Sequence, residues 1–335
     1  MKRLIIKENY KSILNLMETE IAIKFVKDTF ERKLARALNL TRVSAPLFVF
    51  PSTGLNDNLN GHERRVSFDI NGVAEEVEIV QSLAKWKRSA LAKYGFEAGT
   101  GLYTDMNAIR RDEDLDTLHS AYVDQWDWEK IITKDLRSVS YLKKVVTRIY
   151  KVLRNVEKAV HKKFSALTPI LPKDVFFITT QELEDMYPDK TGKEREYAIC
   201  KEHKAVFLIG IGNKLKSGVP HDGRAADYDD WQLIGDLLLY YEELDIEFEI
   251  SSMGIRVDEE SILSQLKQKG EEYKINNEYV QGILNKKLPY TIGGGIGQSR
   301  LCMFFLKKAH IGEVQASVWE EKDIKYLESN NIHLL

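Results

Sequence analysis

The stretch that decides the fold is Thr291-Ile-Gly-Gly-Gly-Ile-Gly-Gln-Ser-Arg-Leu-Cys-Met303. Its glycines allow positive φ angles or a close approach of the backbone to a ligand. The run from Gln298 to Leu306 has a helical pattern, so the segment predicts a glycine-rich strand leading into a helix with Arg300 in its first turn. A planar guanidinium there is suited to stacking on a base or binding phosphate oxygens. The alternative is a tight turn with a surface arginine.

Two further segments predict strands with one strongly polar face. In the first, alternation separates Val123, Gln125, Asp127 and Glu129 from Tyr122, Asp124, Trp126 and Trp128. The second, Asp245-Ile-Glu-Phe-Glu-Ile-Ser251, aligns Asp245, Glu247, Glu249 and Ser251. Aligned carboxylates suit Mg²⁺, which takes one or two protein carboxylates together with phosphate oxygens. A solvated face of an exposed strand is the alternative for both segments.

The rest of the chain predicts an α+β fold. Apolar periodicity indicates amphipathic helices over residues 12–38 and 142–160. Asn71-Gly72, between two alternating runs, is a hairpin signal. Strands are also predicted at 42–50, 102–109, 121–128, 205–210, 236–241, 245–250 and 313–318, and helices at 82–95, 258–269 and 296–308. Strands joined by hairpins, with helices grouped between them, predict a mainly antiparallel β-sheet flanked by helices.

Composition narrows the class of protein. The 335 residues are 43% hydrophobic and 30% charged, which is typical of one large globular unit, and no linker or repeat divides residues 1–335. The net charge of −2 gives no general attraction to nucleic acid. No apolar run approaches the roughly 18 residues of a membrane span. Cys200 and Cys302 lack metal-ligand spacing, so we expect a reducing compartment, the cytoplasm by default.

Together these segments resemble the three motifs of class II aminoacyl-tRNA synthetases. Residues 38–48 are similar to the first motif, a helix and strand that form a dimer interface in that class. Residues 110–129 are similar to the second motif in its aspartyl and asparaginyl version. Residues 249–256 and 293–301 are similar to the third motif and the strand before it, so the resemblance implies a class II synthetase-like catalytic domain and a homodimer.

The closer resemblance is to the aspartate–ammonia ligase family, over about residues 20 to 320. It is carried by Asp57-Asn-Leu, Ser82-Leu-Ala-Lys-Trp-Lys-Arg88, Gly101-Leu-Tyr-Thr, Tyr122-Val-Asp-Gln-Trp-Asp-Trp-Glu129, Asp227-Tyr-Asp-Asp-Trp231, Ser251-Ser-Met-Gly-Ile-Arg-Val-Asp258 and residues 291–300. The resemblance implies ATP-dependent amidation of L-aspartate by ammonia. The expected products are L-asparagine, AMP and pyrophosphate, formed through a β-aspartyl adenylate.

The resemblance also implies site residues for this reaction. ATP as co-substrate would contact Arg110, Arg224, Arg256, Arg300 and Gly295, with Arg110 at the α-phosphate and Arg300 at adenine. Mg²⁺ would be held by Glu249 with help from Asp236. Aspartate would contact Lys87, Asp127, Asp229 and Ser252. Asp57 would take the proton of ammonium, and Gln125 would donate to the oxyanion that forms as ammonia adds.

Alternatives remain open at this stage. The chain could be an aspartyl- or asparaginyl-tRNA synthetase-related enzyme, although its length leaves no room for the usual anticodon-binding module. It could also be a non-catalytic paralogue that binds aspartate or adenylate, although Arg110, Gln125, Glu249 and Arg300 are all present. The loop from His221 to Trp231 fits either a metal site or a solvated segment.

Overall fold

The centre of the protein is a large β-sheet. The computed structural model describes residues 4–57, 59 and 63–335. The strands in this part of the chain are β1 (Leu40–Arg42), β2 (Phe48–Val49), β3 (Ser67–Phe68), β4 (Val77–Ile79), β5 (Gly101–Ile109), β6 (Tyr122–Ile131), β7 (Phe176–Thr179), β8 (Ala205–Ile209), β9 (Asp229–Tyr241), β10 (Ile246–Arg256) and β11 (Thr291–Gly297). Eight of them form the large sheet in the order β1-β5-β6-β11-β10-β9-β8-β7, and β2-β4-β3 form a small one.

Pairing within the large sheet is antiparallel from β5 to β8, and only the edge strands β1 and β7 pair in parallel with their neighbours. The small sheet is antiparallel and contains the predicted hairpin between β3 and β4. Gly72 in its connection has a φ of 82°, which favours glycine. The predicted mainly antiparallel α+β fold is confirmed.

Nine α-helices surround the sheet in the described residues. They are α1 (Leu16–Leu38), α2 (Ala84–Lys93), α3 (Val139–Lys163), α4 (Thr180–Met186), α5 (Gly192–His203), α6 (Glu259–Lys269), α7 (Glu278–Leu284), α8 (Gln298–Leu306) and α9 (Glu321–Ser329). None of the helices described is long and apolar enough to cross a bilayer. The helix α1 begins where Asn15 and Glu18 form a capping box and ends at Asn39 in the left-handed conformation.

The main hydrophobic core lies on one face of the sheet. The apolar sides of α1 and α3 pack there, together with Trp126 and Trp128 of β6. Phe30 of α1 lies with its ring centroid 4.8 Å from that of Trp126. Because side chains alternate along a strand, Asp127 between these tryptophans points to the opposite face, which carries the polar site.

One predicted strand is wrong in part and another is wrong altogether. Pro46 divides the segment 42–50: β1 joins the large sheet and β2 joins the small one. The segment predicted as a last strand at 313–318 forms a 3₁₀ turn at Ile311–Glu313 followed by irregular chain. The buried carboxylate of Glu313 accepts hydrogen bonds from the backbone N–H groups of Ala309 and His310, so local bonds replace a strand ladder.

Candidate active site

A cavity of about 430 Å³ opens on the polar face of the sheet. All but two of the predicted site residues line it: Lys87, Arg110, Gln125, Asp127, Arg224, Asp229, Glu249, Ser252, Arg256, Gly295 and Arg300. The two exceptions are buried behind its wall. Asp57 lies near Tyr228, which lines the cavity, and Asp236 pairs with Arg224.

Sheet register explains why residues distant in sequence meet here. Asp236, Ser252, Gly295 and Asp127 are successive Cα partners across β9, β10, β11 and β6. Paired residues in an antiparallel sheet point to the same face, so their side chains share the cavity side. Three strand spacings separate Asp236 from Asp127, a distance of about 14 Å.

A register shift in β10 corrects one expectation. Alternation predicts Glu249 and Ser251 on the same face, but a bulge lies between them. Glu249 pairs with Leu238 and Ser252 pairs with Asp236, so Glu249 and Ser252 face the cavity together. The Ser251 hydroxyl instead donates to the carbonyl oxygen of Gly295 at 2.7 Å.

The glycines of β11 form the floor of the cavity. A Cβ atom at Gly293 would lie 1.9 Å from Glu129 Oε2, and one at Gly295 would lie 2.3 Å from Gln125 Oε1. Neither glycine has a positive φ angle. Close approach is therefore the role of these glycines, and the groups that approach them are protein side chains: Glu129 lies over Gly293 and Gln125 lies over Gly295.

One end of the cavity contains a buried ion cluster around Arg256. Its Nε donates to Glu129 Oε1 at 2.9 Å, its Nη2 donates to Glu129 Oε2 at 2.7 Å, and its Nη1 donates to Asp229. Burial opposes ionisation of Glu129, but the attraction of Arg256 outweighs it and lowers the pKa of Glu129. For Asp229, burial dominates and raises the pKa despite Arg256. Arg256 thus reaches the cavity with most of its donors already occupied.

Lys87 lies beside this cluster with a side chain only 2% exposed. Its ammonium donates to Asp127 Oδ1 and to the carbonyl oxygen of Gly294, both at 3.0 Å. A buried ammonium and carboxylate are stable only as a bonded pair, so each fixes the position of the other.

The opposite end contains three arginines. Arg300, in the first turn of α8 as predicted, donates to the carbonyl oxygen of Glu249 at 3.0 Å and contacts His119 Nε2 at 2.9 Å. Arg110 follows β5, and its Nε is buried without a hydrogen-bond partner in the described part of the chain, as is Arg224 Nε. Buried unpaired donors are costly, so this end is suited to a ligand rich in acceptor oxygens.

Asp236 and Glu249 adjoin these arginines. Burial raises the pKa of Asp236 to about 6, Arg224 opposes this shift, and Glu249 adds to it. The Oδ1 atom of Asp236 is buried and unpartnered among the described residues. No group of three or more His, Cys, Asp or Glu side chains able to hold a metal occurs in the residues described. The carboxylates of Asp236 and Glu249 would suit Mg²⁺, which prefers oxygen ligands and needs only one or two from the protein.

Sequence reasoning missed several contributors. Alternation predicts the face on which Glu129 lies but gives this residue no role, and only the structure shows that its carboxylate is buried against Arg256. Tyr228 and His119 also line the cavity, although the motifs that contain them predict no role for either residue. The metal-loop hypothesis for the segment from His221 is not supported, because the His221 imidazole bonds to Glu196 outside the cavity.

Solved structures identify the class of the fold. Asparaginyl-tRNA synthetase from Pyrococcus horikoshii, in complex with asparaginyl-adenylate, matches 90% of this chain and 70% of its own with a TM-score of 0.67 at 17% identity. The Entamoeba histolytica asparaginyl-tRNA synthetase matches 91% of this chain and 68% of its own with a TM-score of 0.66 at 15% identity. Fold and site therefore define a class II aminoacyl-tRNA synthetase-like catalytic domain.

Sequence comparison identifies the family. The aspartate-ammonia ligase family model matches residues 17–331. Aspartate–ammonia ligases from Ruminiclostridium cellulolyticum and Clostridium perfringens are 60% and 62% identical, each over the full length of both chains. One from Bacillus cereus is 58% identical over 97% of this chain and 99% of its own. The chain belongs to the aspartate–ammonia ligase family, ATP-using enzymes of asparagine biosynthesis, and the resemblance seen in its motifs is confirmed.

Proposed function

We propose that the cavity converts ATP, L-aspartate and ammonia into L-asparagine, AMP and pyrophosphate. The observation that carries this proposal is the division of charge along one glycine floor. Arginines with unpaired donors lie at one end, and a bonded set of Lys87, Asp127 and the Arg256 cluster lies at the other. A polyphosphate and a small zwitterion could therefore bind side by side.

The first step activates the β-carboxylate of aspartate. Displacing oxide from a carboxylate is unfavourable, so its oxygen attacks the α-phosphorus and the bond to pyrophosphate breaks. Negative charge on the phosphate oxygens is stabilised by Arg110 at the α-phosphate and by Arg224 and Arg300 nearby. Because Gly295 has no side chain, Gln125 and Asp127 can lie close over β11, and the nucleotide would bind beside them.

The carboxylates of Asp236 and Glu249 would hold Mg²⁺, which would neutralise part of the phosphate charge. Arg224 currently bonds to Asp236. When ATP binds, we expect this guanidinium to turn toward the phosphates, which frees Oδ2 of Asp236 in addition to the unpartnered Oδ1. Binding of phosphate by Arg224 and binding of Mg²⁺ by Asp236 would then be coupled.

Aspartate recognition needs partners for an ammonium and two carboxylates. Lys87 and Ser252 can donate to a carboxylate, and Asp127 and Asp229 can accept from the ammonium. We assign Arg256 to this end instead of the triphosphate, because Glu129 and Asp229 already hold its guanidinium. The β-carboxylate would then point along β11 toward Arg110.

The second step is attack of ammonia on the β-carbonyl carbon, with AMP as leaving group. Gln125, which leans over Gly295, would donate to the oxyanion. Ammonium must lose a proton first, and Asp57 is our candidate for the base. Its Oδ2 is buried without a partner in the described residues, and it lies near the cavity-lining Tyr228.

The deciding experiment measures AMP release from ATP, Mg²⁺ and L-aspartate, with and without ammonium chloride and with tRNA absent. AMP formed in step with asparagine, and only with ammonium, would support the ligase reaction. Binding of ATP and aspartate without turnover would favour the non-catalytic paralogue. Turnover that requires tRNA would favour the synthetase-related enzyme.

Since the reaction consumes ATP and both cysteines are free and buried, we also propose the cytoplasm as its compartment.

We further propose a homodimer built on the first motif. Leu47, Phe48 and Phe50 lie in or next to β2 in the segment after β1, and each is at least 40% exposed, so this segment offers a group of exposed apolar side chains. Apolar clusters of this kind commonly mark protein–protein contacts.

A further inference from the structure

The His221 side chain is one of the most buried polar groups outside the cavity. It is 1% exposed, and its Nε2 lies 2.8 Å from Oε1 of Glu196 on α5. A carboxylate can only accept, so the imidazole donates through Nε2. Burial opposes ionisation of Glu196, but its bonds with His221 and Lys193 outweigh burial and lower its pKa, so Glu196 is an ionised acceptor. This charge-assisted bond is stronger than one between neutral groups.

The bond joins the start of α5 to a loop. A Cβ atom at Gly192, the first residue of α5, would lie 3.1 Å from the carbonyl oxygen of His221 and 3.4 Å from its Cε1. The loop therefore packs directly on a helix that has no side chain at the point of contact. Backbone and side chain of His221 are both held by the same helix.

The residues after His221 enter the cavity at its phosphate end. Gly223, Arg224 and Ala225 line the cavity, and Arg224 bonds to Asp236. On the far side, Trp231 Nε1 donates to the carbonyl oxygen of Ala225 at 3.0 Å. Arg224 thus lies on a short segment that is held at both ends, by the bond of His221 with Glu196 and by the bond of Trp231 with Ala225.

We propose that His221 and Glu196 form a positioning pair that fixes the segment 221–225 and thereby delivers Arg224 to the triphosphate of ATP. This inference rests on the proposed role of Arg224. His221 touches no substrate, and its effect passes through the backbone of three residues. Without the bond, the Arg224 guanidinium would have to be ordered at each binding event, which lowers affinity for ATP and leaves aspartate recognition intact.

The test measures ATP binding by isothermal titration calorimetry without ammonia, and the KM for aspartate in the full reaction. His221→Ala should weaken ATP binding about tenfold, as expected for a misplaced binding group, and should change the aspartate KM less than about twofold. His221→Gln, whose amide can still donate to Glu196, should restore most of the affinity. Lys216→Ala is the matched control, because Lys216 belongs to the same loop but forms an exposed ion pair with Asp185.

A double-mutant cycle separates positioning from general loss of structure. If His221 acts through Arg224, the double variant His221→Ala/Arg224→Ala should bind ATP no more weakly than Arg224→Ala alone. Additive losses, or equal effects on ATP and aspartate, would overturn the inference. If His221→Ala does not fold, Glu196→Ala removes the same bond from the helix side, and unchanged ATP affinity in that variant would overturn it equally.

The same data distinguish the proposed binding role of Arg224 from the proposed positioning role of His221. If Arg224→Ala leaves ATP binding unchanged, the proposed role of Arg224 is wrong and the positioning role falls with it. If Arg224→Ala weakens binding and the folded His221→Ala does not, only the positioning role is wrong.

Discussion

At the scale of single residues, the site depends on glycines, which have no side chain, as much as on charged groups. Gly293 and Gly295 leave room for Glu129, Gln125 and Asp127 to cover β11. Because β6 fixes the backbone of Gln125 beside these glycines, we expect the donor proposed for the oxyanion to be close to its working position before substrate binds.

Gly295→Ala tests this arrangement. The new Cβ would lie 2.3 Å from Gln125 Oε1 and 2.9 Å from Asp127 Oδ1, so both side chains must move. We expect kcat/KM to fall by about 100-fold or more, because displacement of about 1 Å is enough for such a loss. Steady-state kinetics with a circular dichroism check of folding measures it. Gly282→Ala on α7 is the control for adding a methyl group elsewhere, because Gly282 has no positive φ and its Cβ would meet only the Leu288 side chain, at 3.1 Å from Cγ; similar activity losses in both variants would contradict the role of the floor.

Asp57→Asn tests the base. If Asp57 acts only after activation, the variant should retain aspartate-dependent exchange of pyrophosphate into ATP. Asparagine formation should fall by about 100-fold or more, the usual contribution of a general base. Equal loss of both activities would show that Asp57 supports binding or structure instead.

At the scale of elements, the sequence predicts those whose pattern is local. The helices α1 and α3 and the strands β5 and β6 form where their periodicity indicates, and Arg300 lies in the first turn of α8. Alternation alone could not reveal the bulge after Glu249, because the extra residue is defined by the pairing of β10 with β9. Nor could it show that Arg256 is held by Glu129, since the two residues are 127 positions apart in sequence and meet only through sheet register.

His310 illustrates a tertiary effect on one short element. Burial lowers the pKa of this histidine to about 4, although Asp116 and Asp323 oppose the shift. Its Nδ1 accepts from the backbone N–H of Gly312, which shapes the turn that carries Ile311 into the cavity wall. The folded state therefore keeps the imidazole neutral.

Stability should depend on pH through this group. The folded pKa is below the ordinary value of about 6.5, so the unfolded chain binds an extra proton between about pH 6.5 and pH 4. Stability is therefore lost as pH falls through that window, by about 2 kcal/mol from this group between pH 7 and pH 5. Urea unfolding at both pH values measures it. The His310→Asn side chain keeps an acceptor near the position of Nδ1 and cannot titrate. Between pH 7 and pH 5 its free energy of unfolding should therefore fall by about 2 kcal/mol less than that of the wild type. Equal pH dependence in both proteins would refute the effect.

At the scale of the whole molecule, the two faces of the large sheet have different roles. Its apolar face rests on α1 and α3, and its polar face carries the cavity. The edge strand β1 follows α1 directly, and the exposed Leu47, Phe48 and Phe50 come soon after it. These side chains lie outside the main core. A second copy of the chain is the partner expected from the first motif.

The dimer is tested by changing that surface. The wild-type enzyme should sediment at about twice the chain mass of 38.6 kDa. Leu47→Glu adds a charge to a side chain that is 48% exposed, so it should cost the monomer little and disfavour burial against a partner. We expect a shift to the monomer at micromolar concentration. Val318→Glu is the control, because Val318 is 82% exposed and lies elsewhere. A monomeric wild type, or a Leu47→Glu variant that remains dimeric, would mean that the apolar residues after β1 do not form the interface.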